Sequence, residues 1–216
     1  QQAKHCLLVA NGTDALEIAL QAYGIGHGDK VGIAAISFFS TAECVINMGA
    51  TPIFVDVDIK TGLMDPSSLE RVIKQHDLKA IIPVHIYGLP APMEQIESLC
   101  RPKGIHIIED GAQAQGGYYH NKKPMGSSDN LITYSFYPTK NLGAFGDAGA
   151  ILTQDDDLKE TILKIRNHGR SPEGHSLIGR NSRCDHLQAA VLDLKLDHIE
   201  QQNESRKNVA KQYHEE

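Results

Sequence analysis

Residues 131–153 read LITYSFYPTKNLGAFGDAGAILT. Two apolar, β-rich runs, Leu131–Phe136 and Ala150–Thr153, flank a loop that carries Lys140 and the glycines Gly143, Gly146 and Gly149. Runs of that length and composition are expected as strands. A lysine just past a strand, among aromatics and glycines, can be desolvated enough to act as a nucleophilic amine toward an aldehyde. The glycines allow close backbone approach. A lone loop lysine is ordinarily a solvated charge, so the weight of Lys140 depends on what surrounds it.

Outward from this stretch, short β-rich runs alternate with helical patterns. Further strands are expected near Cys6–Ala10, Val31–Ile36, Pro52–Val57, Ala80–His85 and His106–Glu109. Helices are expected near Asp14–Tyr23, Thr41–Met48, Pro66–His76, Ala91–Cys100 and Asp156–Asn167, with Asp65-Pro66 and Asp155 as start signals and Gly24, Gly49, Gly104 and Gly169 as stops. A long amphipathic helix is expected from about Asp185 to the end, with Leu187, Val191, Leu194, Ile199 and Val209 among its apolar positions. Such alternation predicts an α/β fold, a mainly parallel sheet flanked by helices. In such sheets ligands collect beyond the carboxyl ends of the strands.

Three more of those loops carry specific residues. After Cys6–Ala10 comes Asn11-Gly12-Thr13-Asp14, a glycine turn into a helix with Thr13 as the expected N-cap. Its free N–H groups and the positive end of the helix dipole suit a phosphate, although an ordinary capped helix reads the same way. Ile107-Ile108-Glu109-Asp110-Gly111-Ala112-Gln113 runs an apolar strand into adjacent acids. An acid there can hold a ring nitrogen protonated, and it can equally be a helix cap or a surface acid. Ser37-Phe38-Phe39-Ser40-Thr41 sets two aromatics between strand and helix; Phe38 can stack on a planar ring, or both can be core.

Composition bounds the rest. With 216 residues, 41% hydrophobic and 22% charged, the chain can bury one large core. A net charge of −6, with no basic run longer than Lys122-Lys123, gives no footprint for nucleic acid or anionic lipid. No apolar run approaches the roughly 18 residues of a membrane span and no signal-peptide pattern opens the sequence, so a cytoplasmic protein is expected. The four cysteines, Cys6, Cys44, Cys100 and Cys184, form no CxxC pair and are expected as buried free thiols. The histidines form no HExxH or HxH pair, and no metal is expected. The start without Met, directly into a strand, suggests a piece of a longer gene product.

Taken together, NGTDAL (11–16), GATPIFVDVD (49–58), IIPVHIYG (81–88), IEDGAQA (108–114), SFYPTKNLGAFGDAGAI (135–151), RNHG (166–169) and GRNSRCDHLQAA (179–190) resemble the DegT/DnrJ/EryC1/StrS family of nucleotide-sugar aminotransferases. The resemblance implies the type I, aspartate aminotransferase-like fold and a pyridoxal 5′-phosphate cofactor, with pyridoxamine 5′-phosphate between half-reactions. It implies that Lys140 carries the cofactor as a Schiff base, Asp110 faces the pyridine nitrogen, Gln113 touches the ring hydroxyl and Phe38 stacks on the ring. Gly12, Thr13 and Ser135 would hold the phosphate, and Asn181 would reach the phosphate of a neighbouring subunit in a homodimer with shared sites. Catalysis would fall to Lys140 and Asp110, moving nitrogen from an amino acid, L-glutamate by resemblance, to a nucleotide-linked ketosugar for amino-sugar biosynthesis.

The family frame makes residues 1–194 the large cofactor domain, without an N-terminal arm, and residues 195–216 a helix leading toward a small domain largely absent. Gly111 and Ala148 stand where Ala and Gly are commoner, small for small. Alternatives are a sugar dehydratase working from the pyridoxamine form, whose relatives carry His at the Lys140 position, a non-catalytic regulatory relative, and a type I enzyme of free amino acids.

Overall fold

The computed structural model describes residues 2–215, so Gln1 and Glu216, which close the two expected domain spans, lie outside the described residues. Seven strands make one sheet: β1 (His5–Val9), β2 (Lys30–Ala34), β3 (Thr51–Val55), β4 (Ala80–Ile82), β5 (His106–Asp110), β6 (Leu131–Ser135) and β7 (Gly149–Thr153), in the order β1-β7-β6-β5-β4-β2-β3. Pairing is parallel from β3 through β2, β4 and β5 to β6; β7 alone runs antiparallel to both its neighbours. A small hairpin, β8 (Arg170–Ser171) with β9 (Gly174–His175), stands apart. The mainly parallel sheet expected from the alternation is present.

The sheet is covered on both faces because successive strand residues point opposite ways. Ile82, Ile108, Leu131 and Ile151 pack with Leu16 and Ile18 of α1 (Gly12–Ala22), Val45 of α2 (Ser40–Asn47) and Ile162 of α5 (Asp156–Ile165). Their neighbours Ile81 and Ile107 turn to Leu69 of α3 (Pro66–Gln75) and Ile96 of α4 (Met93–Cys100). Each such side chain withdrawn from water contributes about 1.5–3 kcal/mol. The same alternation sends the consecutive acids Glu109 and Asp110 to opposite faces, which separates their roles.

Asp65 and Asp155 cap their helices as expected, each accepting two amides of the first turn. Gly24, Gly49, Gly104 and Gly169 all adopt positive φ at the expected stops. The cap of α1 is a correction. Asn11, extended at φ −165° and ψ 175°, accepts the Asp14 amide on its side chain, and Thr13 lies inside the helix. Asn caps as well as Thr does, and only Asn11 has the extended backbone that aims a side-chain oxygen at the first turn.

The expected long C-terminal helix is two helices, α6 (His186–Leu196) and α7 (Ile199–Glu215), broken at Asp197-His198. Leu192 of α6 and Ile199 of α7 both pack on the β6–β7 side of the core, with a two-residue turn between the helices. The apolar stripe is only partly covered within the chain: Val191 and Ile199 are half-buried, whereas Leu187 and Leu194 are each 72% exposed and Val209 is exposed. Cys44 and Cys100 are buried free thiols and Cys184 is half-buried, whereas Cys6 is exposed, because it alternates outward on edge strand β1. Among the described residues no helix is long and apolar enough to cross a membrane.

Candidate active site

The candidate residues gather where β1, β2, β5 and β6 end. Asn11 O takes the Ala15 amide and its side chain takes that of Asp14, so the amides of Gly12 and Thr13 head α1 without intrahelical acceptors. Directly across stands Ser135, the last residue of β6. The approach is so close that a Cβ on Gly12 would lie 2.7 Å from the Ser135 Cβ and 3.2 Å from its Oγ. Only glycine permits this contact, and it makes a small cradle of two amides, a hydroxyl and a helix N-terminus. That donor set fits a phosphate monoester.

Asp110 ends β5 and is 5% exposed. Its Oδ1 accepts the Ala112 amide at 3.0 Å, while among the described residues Oδ2 has only a long contact of 3.4 Å from the Thr41 hydroxyl. Thr41 is in turn 2.6 Å from the Ser37 hydroxyl, so the turn bearing Phe38 is tied to the carboxylate. Burial pushes the Asp110 carboxyl above its ordinary value, against the Ala112 amide, the Lys140 ammonium and the Thr41 hydroxyl, which pull it down. A buried carboxylate with a lightly used oxygen fits a cationic ring N–H. Phe38, in the turn so tied, is 75% exposed, so it offers a ring face and is not core.

Lys140 is partly buried in the loop after β6, its amide bonded to Tyr137 O at 2.8 Å, and its charge acts on Asp110. Gln113 accepts the Tyr87 amide on Oε1 at 2.6 Å, which leaves its NH₂ to face outward as a donor. Tyr87 holds a left-handed backbone (φ 57°) in the 3-10 turn Ile86–Gly88. Asn181 is exposed and bridges to Asn167; no hydrogen bond joins it to another candidate among the described residues. Gly12, Thr13, Ser135, Asp110, Phe38, Lys140 and Gln113 thus come together, and Asn181 does not join them within one chain.

Behind the site lies a network that the sequence patterns did not single out. Glu109, fully buried, accepts from His85 Nε2, Tyr119 Oη, Ser128 Oγ and Asn130 Nδ2, each at 2.8 Å. His85 Nδ1 accepts the Ala91 amide at 3.0 Å, so the ring proton is on Nε2. Burial pushes the Glu109 carboxyl up, but the hydrogen bonds from His85, Asn130 and Tyr119 more than offset it and hold the group below its ordinary range. This network fixes the Ile86–Gly88 turn and through it Gln113. His85 itself is wholly enclosed, so it lines no open surface. The hydroxyls of Ser37 and Thr41 were also missed; nothing in their spacing marks a Thr in a first helical turn as a carboxylate partner.

The sequence model of the DegT/DnrJ/EryC1/StrS aminotransferase family matches residues 1–216. The chain is 46% identical over 213 residues to a "Pleiotropic regulatory protein" of Geobacillus stearothermophilus, covering 98% of this chain and 57% of that protein. It is 43% identical over 210 residues to a UDP-N-acetyl-3-dehydro-alpha-D-glucosamine 3-aminotransferase of Acidithiobacillus ferrooxidans, covering 97% and 56%. The fold matches S. venezuelae DesV, solved in complex with a ketimine intermediate, with a TM-score of 0.94 at 39% identity over 98% of this chain and 57% of that one. It also matches NtdA of Bacillus subtilis with bound cofactor PMP, with a TM-score of 0.80 at 34% identity, covering 88% and 43%. The chain therefore spans little more than half the length of the Geobacillus and Acidithiobacillus relatives.

Proposed function

The chain belongs to the DegT/DnrJ/EryC1/StrS aminotransferase family, and from that premise we propose that the protein is a pyridoxal phosphate-dependent aminotransferase delivering nitrogen to a nucleotide-linked ketosugar. The observation that carries the reading is the convergence of the Gly12–Ser135 cradle, buried Asp110 and Lys140 at one end of the sheet. Gly12 and Thr13 would hold the phosphate by their amides and Ser135 by its hydroxyl. Phe38 would cover one ring face. Asp110 would keep the ring nitrogen protonated, and the Gln113 NH₂ would hold the ring hydroxyl. Lys140 would hold the cofactor covalently and, when free, take a proton from the α-carbon of the substrate.

Pyridoxal phosphate supplies the electron sink that makes such a proton removable. The rest is positioning by the chain. L-glutamate is the proposed donor and amino-sugar biosynthesis the proposed setting. Residues 1–194 would form the cofactor domain, and 195–216 would lead toward a smaller one.

The working enzyme would be a homodimer in which Asn181 serves the partner's site. Phe39, Phe145, Leu187 and Leu194 are exposed apolar side chains that a second copy would cover. Mixing Lys140→Ala with Asn181→Ala subunits should restore activity, since a mixed dimer then has one intact site. A stable, fully active monomer would contradict this. The name of the Geobacillus relative favours one second reading, a regulatory protein that keeps the fold. Assay with nucleotide ketosugars beside simple keto acids separates them: turnover of the former supports the proposal, turnover of neither supports the regulator, and turnover of keto acids alone a different type I enzyme.

A further inference from the structure

The loop that follows Lys140 is held from outside by three side chains of the C-terminal helices. Gln188 of α6 accepts the Phe145 amide at 2.8 Å, and Lys195 of α6 donates to Gly143 O at 2.6 Å. Asn203 of α7 makes the tie nearest to Lys140. Its Oδ1 accepts from Asn141 Nδ2 and its Nδ2 donates to Gln115 O, both at 3.0 Å. A carbonyl can only accept, so the Asn203 NH₂ must face Gln115 O, and its oxygen is left for the Asn141 NH₂. The orientation of both carboxamides is thereby fixed.

The chain of contacts continues into the site. Gln115 is buried, and its NH₂ donates to Ser135 O at 2.6 Å and to Ala112 O at 3.1 Å. Ala112 supplies the amide that Asp110 accepts. The carboxamides of Asn203 and Gln115 thus join the residue after Lys140 to the segments bearing Ser135 and Asp110. The fit is close: a Cβ on Gly116 would lie 2.8 Å from Asn203 Nδ2. Ile199, one helical turn earlier, packs against the cluster that holds Ala114, Phe136 and Leu142. Most of α7 is otherwise exposed.

We propose that Asn203 is a positioning residue, which ties the Lys140–Asn141 loop to the Gln115 turn and so sets the Lys140 amine against Asp110 and the Ser135 cradle. The inference rests on the cofactor reading above. Loss of the tie frees the loop to shift, and a misplacement of about 1 Å at a reacting group costs on the order of 10²-fold in rate. Binding of the phosphate end depends on the cradle and should change little.

The test uses the intact protein with Asn203→Ala, Asn141→Ala and the double variant, and Gln202→Ala as a helix-surface control. Three quantities are read: the rate at which added pyridoxal phosphate develops the visible band of the lysine-bound cofactor, the pH midpoint of that band, and kcat against KM. Both single variants should slow band formation about tenfold or more, move the midpoint and lower kcat with little change in KM. The double variant should be no worse than the poorer single one, because both remove the same tie. Variants that lose only thermal stability, with band rate and midpoint unchanged, would overturn the proposal, as would multiplying effects in the double variant. Should Asn203→Ala fail to fold, Asn141→Ala alone must show the slowed band, and a normal band there overturns it. Absence of any lysine-bound cofactor in the wild type would instead contradict the underlying function.

Discussion

Replacing Gly12 by alanine tests the phosphate cradle at its tightest point. The new methyl would stand 2.7 Å from the Ser135 Cβ, whereas carbon atoms settle at about 3.5–4.0 Å. The turn and the end of β6 must therefore part by roughly 1 Å. Overpacking of this kind costs about 1–3 kcal/mol, and the better helix propensity of alanine returns about 0.5–1 kcal/mol, so the cofactor-free protein should lose only roughly 1 kcal/mol of stability. The larger effect falls on the ligand. Hydrogen bonds to a charged group contribute about 1.5–3 kcal/mol each, and a shift of that size breaks at least one, so affinity for pyridoxal phosphate should fall roughly 10–100-fold. Titration by visible absorbance measures this, with an apo-protein melt as control. A variant that melts near the wild type and binds pyridoxal phosphate within about twofold of it would refute the cradle, since widening the contact would then have moved nothing the ligand uses.

Asp110→Asn should retain cofactor yet lose most single-turnover transamination, since an amide cannot hold the ring nitrogen protonated; near wild-type rates would refute the role. Because burial raises the Asp110 pKa, its charge costs stability above that raised value and costs nothing below the ordinary aspartate value of about 4. The cofactor-free Asn variant should therefore be the more stable protein at pH 7 in urea, with the advantage vanishing on acidification. Glu109 has the opposite sign: its lowered pKa gives stability present above about 4.3 and lost as pH falls through the folded value. Glu109→Gln strands His85 Nε2–H or the Asn130 amide against its new NH₂ and should cost about 1–3 kcal/mol at pH 7, a loss that urea melts should show shrinking toward low pH.

Strand and helix positions were legible because each strand alternates between two covered faces, and because Asp65, Asp155 and four glycines mark ends by local chemistry. The candidate residues Gly12, Asp110 and Lys140 were legible as unusual residue types at or just beyond strand ends. Three things were not. The break at Asp197-His198 follows from Leu192 and Ile199 packing on the core across a turn, which periodicity along one helix does not report. Asn11 took the cap from Thr13 through its own extended backbone. The Glu109–His85 network and the Asn203 tie join residues far apart in sequence, 24 positions in the first case and 62 or 88 in the second, and only the folded sheet brings them together.

The most direct test of the central claim is borohydride reduction of the protein loaded with pyridoxal phosphate, followed by peptide mapping. The account predicts a single pyridoxyl label on Lys140. A label on Lys122, Lys123 or another lysine, with Lys140 unmodified, would contradict it.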